Sequence, residues 1–291
     1  MPTRILRPRD RLPLITYLKV QEAFERDLLK VLNRAAADAD KQLKALAGRE
    51  GIGARIRRDQ ILLAKRAVLR EQASLWRTVG SMVMAGRRDA AAAAVQVNFA
   101  YTSMLLRSGF TEAQVVDMLE SAEAQAKRGV ENAMSRMKGM SDIPLSEQVY
   151  RTQALSGKWV ERRIENALVT GKSWSELAKD VRGFIRPDTP GGVSYAAKRL
   201  ARTELNNAFH ATQVRHAIDD EYIVGMRWEL SGSHPVPDEC NTYAESVHMP
   251  DGEPGVYAPN QVPAKPHPQC LCFLTPEPMD DETFWRTLDL G

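Results

Sequence analysis

The sequence predicts a mainly α-helical protein. Long helices fill the N-terminal part, and a small, proline-rich α+β module closes the chain. Three observations carry this. No proline falls between Pro13 and Pro144, a gap of 130 residues, and helix interiors exclude proline. Ten of the 16 prolines lie from Pro235 to Pro278, so that stretch holds no long helix. All three cysteines and three of the five histidines also lie in this last quarter.

Each element has its own signal. Leu18, Ala23, Leu28, Leu29, Leu32 and Ala36 recur at helical spacing over 15–47, and Gly48, Gly51 and Gly53 end the pattern. Residues 55–107 read as one long helix or two. Gly80 and Gly86 mark the candidate break, and Ala90–Ala94 has high helix propensity. Gly109 ends this element, and Thr111 followed by Glu112 caps the next, which runs to about Met137. Pro144 starts a helix with Val149, Ala154, Val160, Ile164 and Leu168 as its apolar positions, and Gly171 is its C-cap. Ser173-Trp174-Ser175-Glu176 has the form of a capping box for a short helix with Leu177 and Val181. Residues 186–192 read as a linker and 194–220 as another helix. In 223–230, Met226, Trp228 and Leu230 share one face of a strand while Arg227 and Glu229 share the other.

Charge is graded along the chain. Residues 1–143 carry 25 Lys/Arg against 16 Asp/Glu, residues 144–224 carry 12 against 10, and residues 225–291 carry 3 against 11. The basic stretch 49–88 holds ten Lys/Arg against Glu50, Asp59 and Glu71. It is a candidate for non-specific contact with DNA, although mixed charge on helices is more often a solvated face. No apolar run is long enough to span a membrane, and the N-terminus has basic residues but no apolar signal core. These features point to a reducing compartment, where paired disulfides are disfavoured.

The cysteines and histidines form the constellation with chemical content. His267-Pro-Gln-Cys270-Leu-Cys272 brings three metal-ligand side chains to one tight turn, and Cys240 arrives from 29 intervening residues away. A zinc ion takes four such donors at roughly 2.0–2.3 Å. Cys240, His267, Cys270 and Cys272 are therefore the expected ligands, with His234 as the rival fourth and Asp238 as a weaker one. The loop between them, with Pro250, Pro254, Pro259 and Pro263, has few apolar anchors, so a metal staple supplies stability that packing does not. Three free thiols, or one disulfide with a cysteine left over, are the plainer alternatives. A site with three thiolates and an imidazole is closed, which favours a structural zinc. A hydrolytic zinc keeps one position open for water. Arg202-Thr203-Glu204 is the second feature. Two apart on a helix, Arg202 and Glu204 face different ways and need separate partners, with Asp238 the expected one for Arg202.

Taken together, these residues resemble the phage Mu F-like head morphogenesis family of minor capsid proteins. The resemblance rests on the Arg202-Thr203-Glu204 helix with Ala208 and Ala211, the Met226-Arg227-Trp228 strand, Pro237-Asp238-Glu239-Cys240, and the closing Pro266-His267-Pro268-Gln269-Cys270-Leu271-Cys272. It covers roughly 145–276. In one respect the chain departs from the pattern: many members carry a C-x-x-C pair in the middle segment, whereas Cys240 is followed by Asn241, Thr242 and Tyr243. If the family site uses that second cysteine, His267 or His234 replaces it here.

The resemblance implies a non-enzymatic virion protein at the phage head interior or portal vertex, present in the host cytoplasm during assembly. Its implied partners are the portal protein and the major capsid or scaffolding protein. The organisation expected is a helical region over 1–143 that associates with portal or capsid. A head morphogenesis domain over 144–291 follows, with its zinc module at about 225–276. The competing reading is a zinc-dependent hydrolase or nuclease that uses the Cys/His cluster with a carboxylate such as Glu204 or Asp238.

Overall fold

The computed structural model describes residues 11–47, 61–106, 110–137, 145–186, 192–232, 234, 236–249, 252–280, 282–284 and 286. Among them the chain is mainly helical with a small three-stranded sheet near the C-terminus. The helices are α1 (Leu12–Ala47), α2 (Ile61–Leu106), α3 (Glu112–Arg136), α4 (Leu145–Val169), α5 (Trp174–Ile185), α6 (Val193–Asp219) and α7 (Glu239–Glu245). The strands are β1 (Ile223–Glu229), β2 (Val256–Tyr257) and β3 (Phe273–Pro278), and a one-turn 3-10 helix spans Pro259–Gln261.

The boundary signals in the sequence correspond to real caps. Thr111 and Ser173 each form a capping box, with Gln114 and Glu176. The Ser173 backbone N–H donates to Glu176 at 2.7 Å, which satisfies an otherwise orphaned donor. Gly171 adopts φ +64. There Gly171 N donates to Leu168 O at 3.1 Å and Lys172 N to Ala167 O at 2.8 Å, the pairing of a left-handed C-cap.

Of the two readings offered for residues 55–107, the structure takes the single helix: α2 runs unbroken through Gly80 and Gly86, because a helix held on a buried face tolerates the entropic cost of glycine. α1 begins three residues earlier than expected, with Pro13 in its first turn, where a missing N–H costs nothing. α7, β2 and β3 carried no clear signal in the sequence. The Gly48–Gly53 break, residues 55–60 and most of the 186–192 linker lie outside the described residues.

The chain divides into two compact units, each assembled from separated segments. One comprises Met1–Glu22, Ala85–Asp142 and Arg202–Gly291, and the other Ala23–Met84 and Ile143–Ala201. The boundary expected near 143 is therefore one of four points where the chain leaves a unit, not a single cut. In the second unit, Leu28, Leu32, Ala36, Ala39 and Leu43 of α1 are buried at helical spacing. So are Val68, Trp76 and Val79 of α2, Val160 and Ile164 of α4, and Trp174, Leu177 and Val181 of α5. Ala23 and Ala154, expected on apolar faces, are exposed.

The first unit contains the sheet, ordered β2-β1-β3 with both pairings antiparallel. β3 is an edge strand, which is why Pro276 and Pro278 are tolerated in it. Met226 and Trp228 of β1 are buried, as the alternation predicts, and they pack with Val214 and Ala217 of α6, Tyr257, Leu274 and all three cysteines. The module at 225–276 is therefore not a separate bead, because α6 supplies one wall of its core. Ala90–Ala94 of α2 is also buried in this unit, where its small side chains allow close helix approach.

Candidate metal centre

Two local structures set the three thiols. Asp238 caps α7, with its Oδ1 accepting from Cys240 N at 2.7 Å, and this places Cys240 in the first turn. Cys270 and Cys272 leave a tight turn at Gln269, a non-glycine residue with φ 59. Such a backbone costs about 1–2 kcal/mol and persists only when its surroundings hold it. Here Gln269 N donates to Thr203 Oγ1 of α6 at 3.3 Å. Two apart in the extended run before β3, Cys270 and Cys272 project to the same side.

The three sulfurs are buried and lie within 4.8 Å of one another, a group able to hold a metal ion. Cys240 Sγ is 3.5 Å from Cys270 Sγ. The thiols of Cys240 and then Cys272 donate into Cys270, holding its own thiol well below the ordinary range, with Lys265 assisting. The same sharing pushes the Cys240 thiol up.

Each candidate histidine approaches one sulfur of this group. His267 Nε2 is 3.6 Å from Cys240 Sγ and 3.0 Å from Asp238 Oδ2, and the three residues form a second group of donors within 4.8 Å. His234 Nδ1 is 3.8 Å from Cys272 Sγ. Its Nε2 is 2.9 Å from Asn241 Oδ1, an oxygen that also accepts the Asp238 backbone N–H at 3.1 Å. An atom receiving a backbone N–H is an acceptor, so His234 Nε2 carries the proton. The lone pair of Nδ1 is then left free beside Cys272 Sγ, as in a metal-binding histidine oriented by a hydrogen bond at its other nitrogen. The S···S and S···N separations of 3.5–3.8 Å match the edges of a tetrahedron with bonds of roughly 2.0–2.3 Å. The three thiols are therefore a group able to hold a metal ion, with each histidine within 4 Å of one sulfur.

The second sequence feature sits elsewhere in the unit. Glu204 is 2 % exposed and ion-paired with Arg87 of α2, which also reaches Glu131 of α3 at 2.7 Å. Asp238, expected opposite Arg202, is directed at His267, at His234 (3.5 Å) and at the α7 N-terminus. The Arg202 carbonyl accepts from Tyr17 Oη at 3.0 Å. Glu204 is thus a core ion pair, and it is not available as the general base of a hydrolase.

Three further residues of α6 bear on the site and were not singled out from the sequence. Asn206 Nδ2 donates to the Cys270 carbonyl, and His210 Nε2 donates to Pro263 O at 2.8 Å. Gln213 Nε2 reaches Leu274 O at 3.5 Å and Asn98 Oδ1 at 3.3 Å. With Thr203 they form a stripe at intervals of three, four and three residues, all bonding to the backbone of the ligand-bearing segment or its support. Lys265, also buried, donates from Nζ to the Cys272 carbonyl and lies over the Trp228 ring at 5.2 Å. The signal was present as polar residues at helical spacing, but such spacing on a helix ordinarily marks a solvated face.

No family model, curated protein or solved structure matches this chain. The site is defined by its own geometry.

Proposed function

We propose that the chain is a structural protein of the phage head morphogenesis type, whose C-terminal unit is locked by one zinc ion. The observation that carries the metal part is the burial of Cys240, Cys270 and Cys272 together, with the His234 Nδ1 lone pair beside Cys272. Zinc bound there would lock α7, the Gln269 turn and the start of β3 to one another. His234 is taken as the fourth ligand on its free Nδ1, with His267, whose Nε2 is shared with the Asp238 carboxylate, as the rival. Closure favours a structural over a hydrolytic role.

The assembly part rests on the resemblance. It is supported by the way the motif residues interlock, with Thr203 and Asn206 of the Arg-Thr-Glu helix bonded to the backbone of the His-Pro-Gln-Cys-Leu-Cys turn. The partners proposed are the portal protein and the major capsid or scaffolding protein. Elemental mass spectrometry on freshly reduced protein tests the metal. One zinc per chain is expected, lost in Cys270→Ser and in His234→Ala but retained in His267→Ala. Loss in His267→Ala alone moves the fourth ligand to that residue, and no zinc in the wild type removes the staple. Co-sedimentation of the full chain with its portal, capsid and scaffolding proteins tests the assembly role, and failure to join any of them overturns it.

A further inference from the structure

We infer that Lys265 is the built-in counter-charge of the metal centre, the residue that makes a three-thiolate, one-imidazole site electrically neutral. The inference rests on the zinc reading above and deepens it. Three thiolates and a neutral imidazole around a divalent ion leave one net negative charge in a buried place, and an uncompensated buried charge is strongly disfavoured. Lys265 is only 8 % exposed, and no carboxylate pairs with it among the described residues. Its ammonium donates to the carbonyl of Cys272, itself one of the thiol residues. Burial pushes the Lys265 ammonium toward its neutral form, and the neighbouring Cys270, Cys272 and Cys240 oppose that shift. The Trp228 ring covers the ammonium from another side at 5.2 Å, an attractive contact for a cation.

Arg227, the cation on β1 itself, is already paired with Glu277 at 2.5 Å and Glu253 at 2.7 Å. A buried lysine with no acid partner beside a cluster of thiols is an expensive arrangement unless negative charge gathers there, and metal-bound thiolates supply that charge. The same argument names the ion class. A divalent ion with a tetrahedral preference gives a neutral site, whereas a trivalent ion would leave one excess positive charge.

Zinc affinity of the reduced full-length chain, measured by competition with a chromophoric chelator, tests this. Lys265→Gln keeps a donor for the Cys272 carbonyl and removes the charge, while Lys265→Arg keeps the charge. Lys265→Met, which retains the apolar stem over Trp228, repeats the measurement if the amide disturbs packing, and far-UV circular dichroism confirms that the helices persist. Loss of about tenfold or more in affinity is expected for the neutral variants, the size of effect that groups supporting metal ligands produce. Lys265→Arg should stay within a few-fold of wild type. Thiolate-to-metal charge-transfer bands on cobalt substitution should show three sulfur ligands in the wild type. Wild-type affinity in Lys265→Gln and Lys265→Met overturns the counter-charge. A wild type that takes up neither zinc nor cobalt overturns the metal reading itself.

Discussion

His210 shows how one buried side chain couples this unit to pH. Burial, with the nearby Lys265 charge, pushes its pKa from 6.5 down to about 3. The folded chain therefore holds it neutral, donating to Pro263 O, while the unfolded chain binds a proton below about 6.5. Stability contributed by this group is complete above that value and is lost as pH falls toward 3. The loss is up to about 1.4 kcal/mol per pH unit. In metal-free protein, urea midpoints of the wild type should thus drop more steeply from pH 6.5 to 5 than those of His210→Gln. Equal slopes would show that the imidazole does not titrate with unfolding.

Glu204 offers a second test at this scale. Glu204→Gln removes the buried carboxylate of the Arg87 pair, while Glu131, the other carboxylate it reaches, is half-exposed, a loss of about 3 kcal/mol. The paired replacement Arg87→Met with Glu204→Leu should cost far less, because no charge is then stranded. A double-mutant cycle by chemical denaturation reads both.

Among the elements, two glycines with left-handed backbone are predicted to respond differently. Gly171 closes α4 at φ +64, and alanine there should cost about 1 kcal/mol through the backbone alone. Gly255 sits at φ +76 between α7 and β2, and an added Cβ would come 2.7 Å from the Ala244 carbonyl oxygen. Its N–H also bonds to Ser246 O at 2.8 Å. Gly255→Ala should therefore cost about 2–4 kcal/mol. It should also weaken zinc binding, because α7 carries Cys240. Thermal melts with and without chelator separate the two: the Gly171 variant shifts equally in both, the Gly255 variant more when zinc is present. Equal shifts for Gly255→Ala would uncouple that turn from the metal.

At the scale of the whole molecule, the two units should respond unequally to a chelator. Only the unit containing residues 202–291 holds the thiols. Metal removal should expose its amides to hydrogen exchange while α4 and α5 of the other unit keep their protection. Uniform loss of protection would mean that the units fold as one.

The basic stretch is reduced by folding. Arg87 is buried and Lys65 is paired with Glu165 at 2.6 Å, while residues 49–60 lie outside the described residues. Arg66, Arg70 and Arg77 remain exposed along α2. If that face meets DNA, binding falls steeply with salt, and neutralising each arginine lowers the log–log slope by about 0.9. A salt-independent complex removes the idea. No described helix is long and apolar enough to cross a membrane.

The sequence by itself determined the elements whose cause is local. Proline exclusion marked the helical span, Thr111, Ser173 and Gly171 marked termini through their own backbone chemistry, and the alternation in 223–230 marked the central strand. It also determined that Cys240, Cys270 and Cys272 belong together, because soft ligands clustered in a loop-rich segment have few other reasons to be there. Tertiary structure alone decided the rest. Asp238 turns to two histidines and a helix cap instead of Arg202, and Glu204 meets Arg87 from 117 residues away. Thr203, Asn206, His210 and Gln213 become a buried docking stripe instead of a wet face. Each of these depends on which distant surface arrives opposite a side chain, and a polar residue at helical spacing reads the same whether its partner is water or a carbonyl.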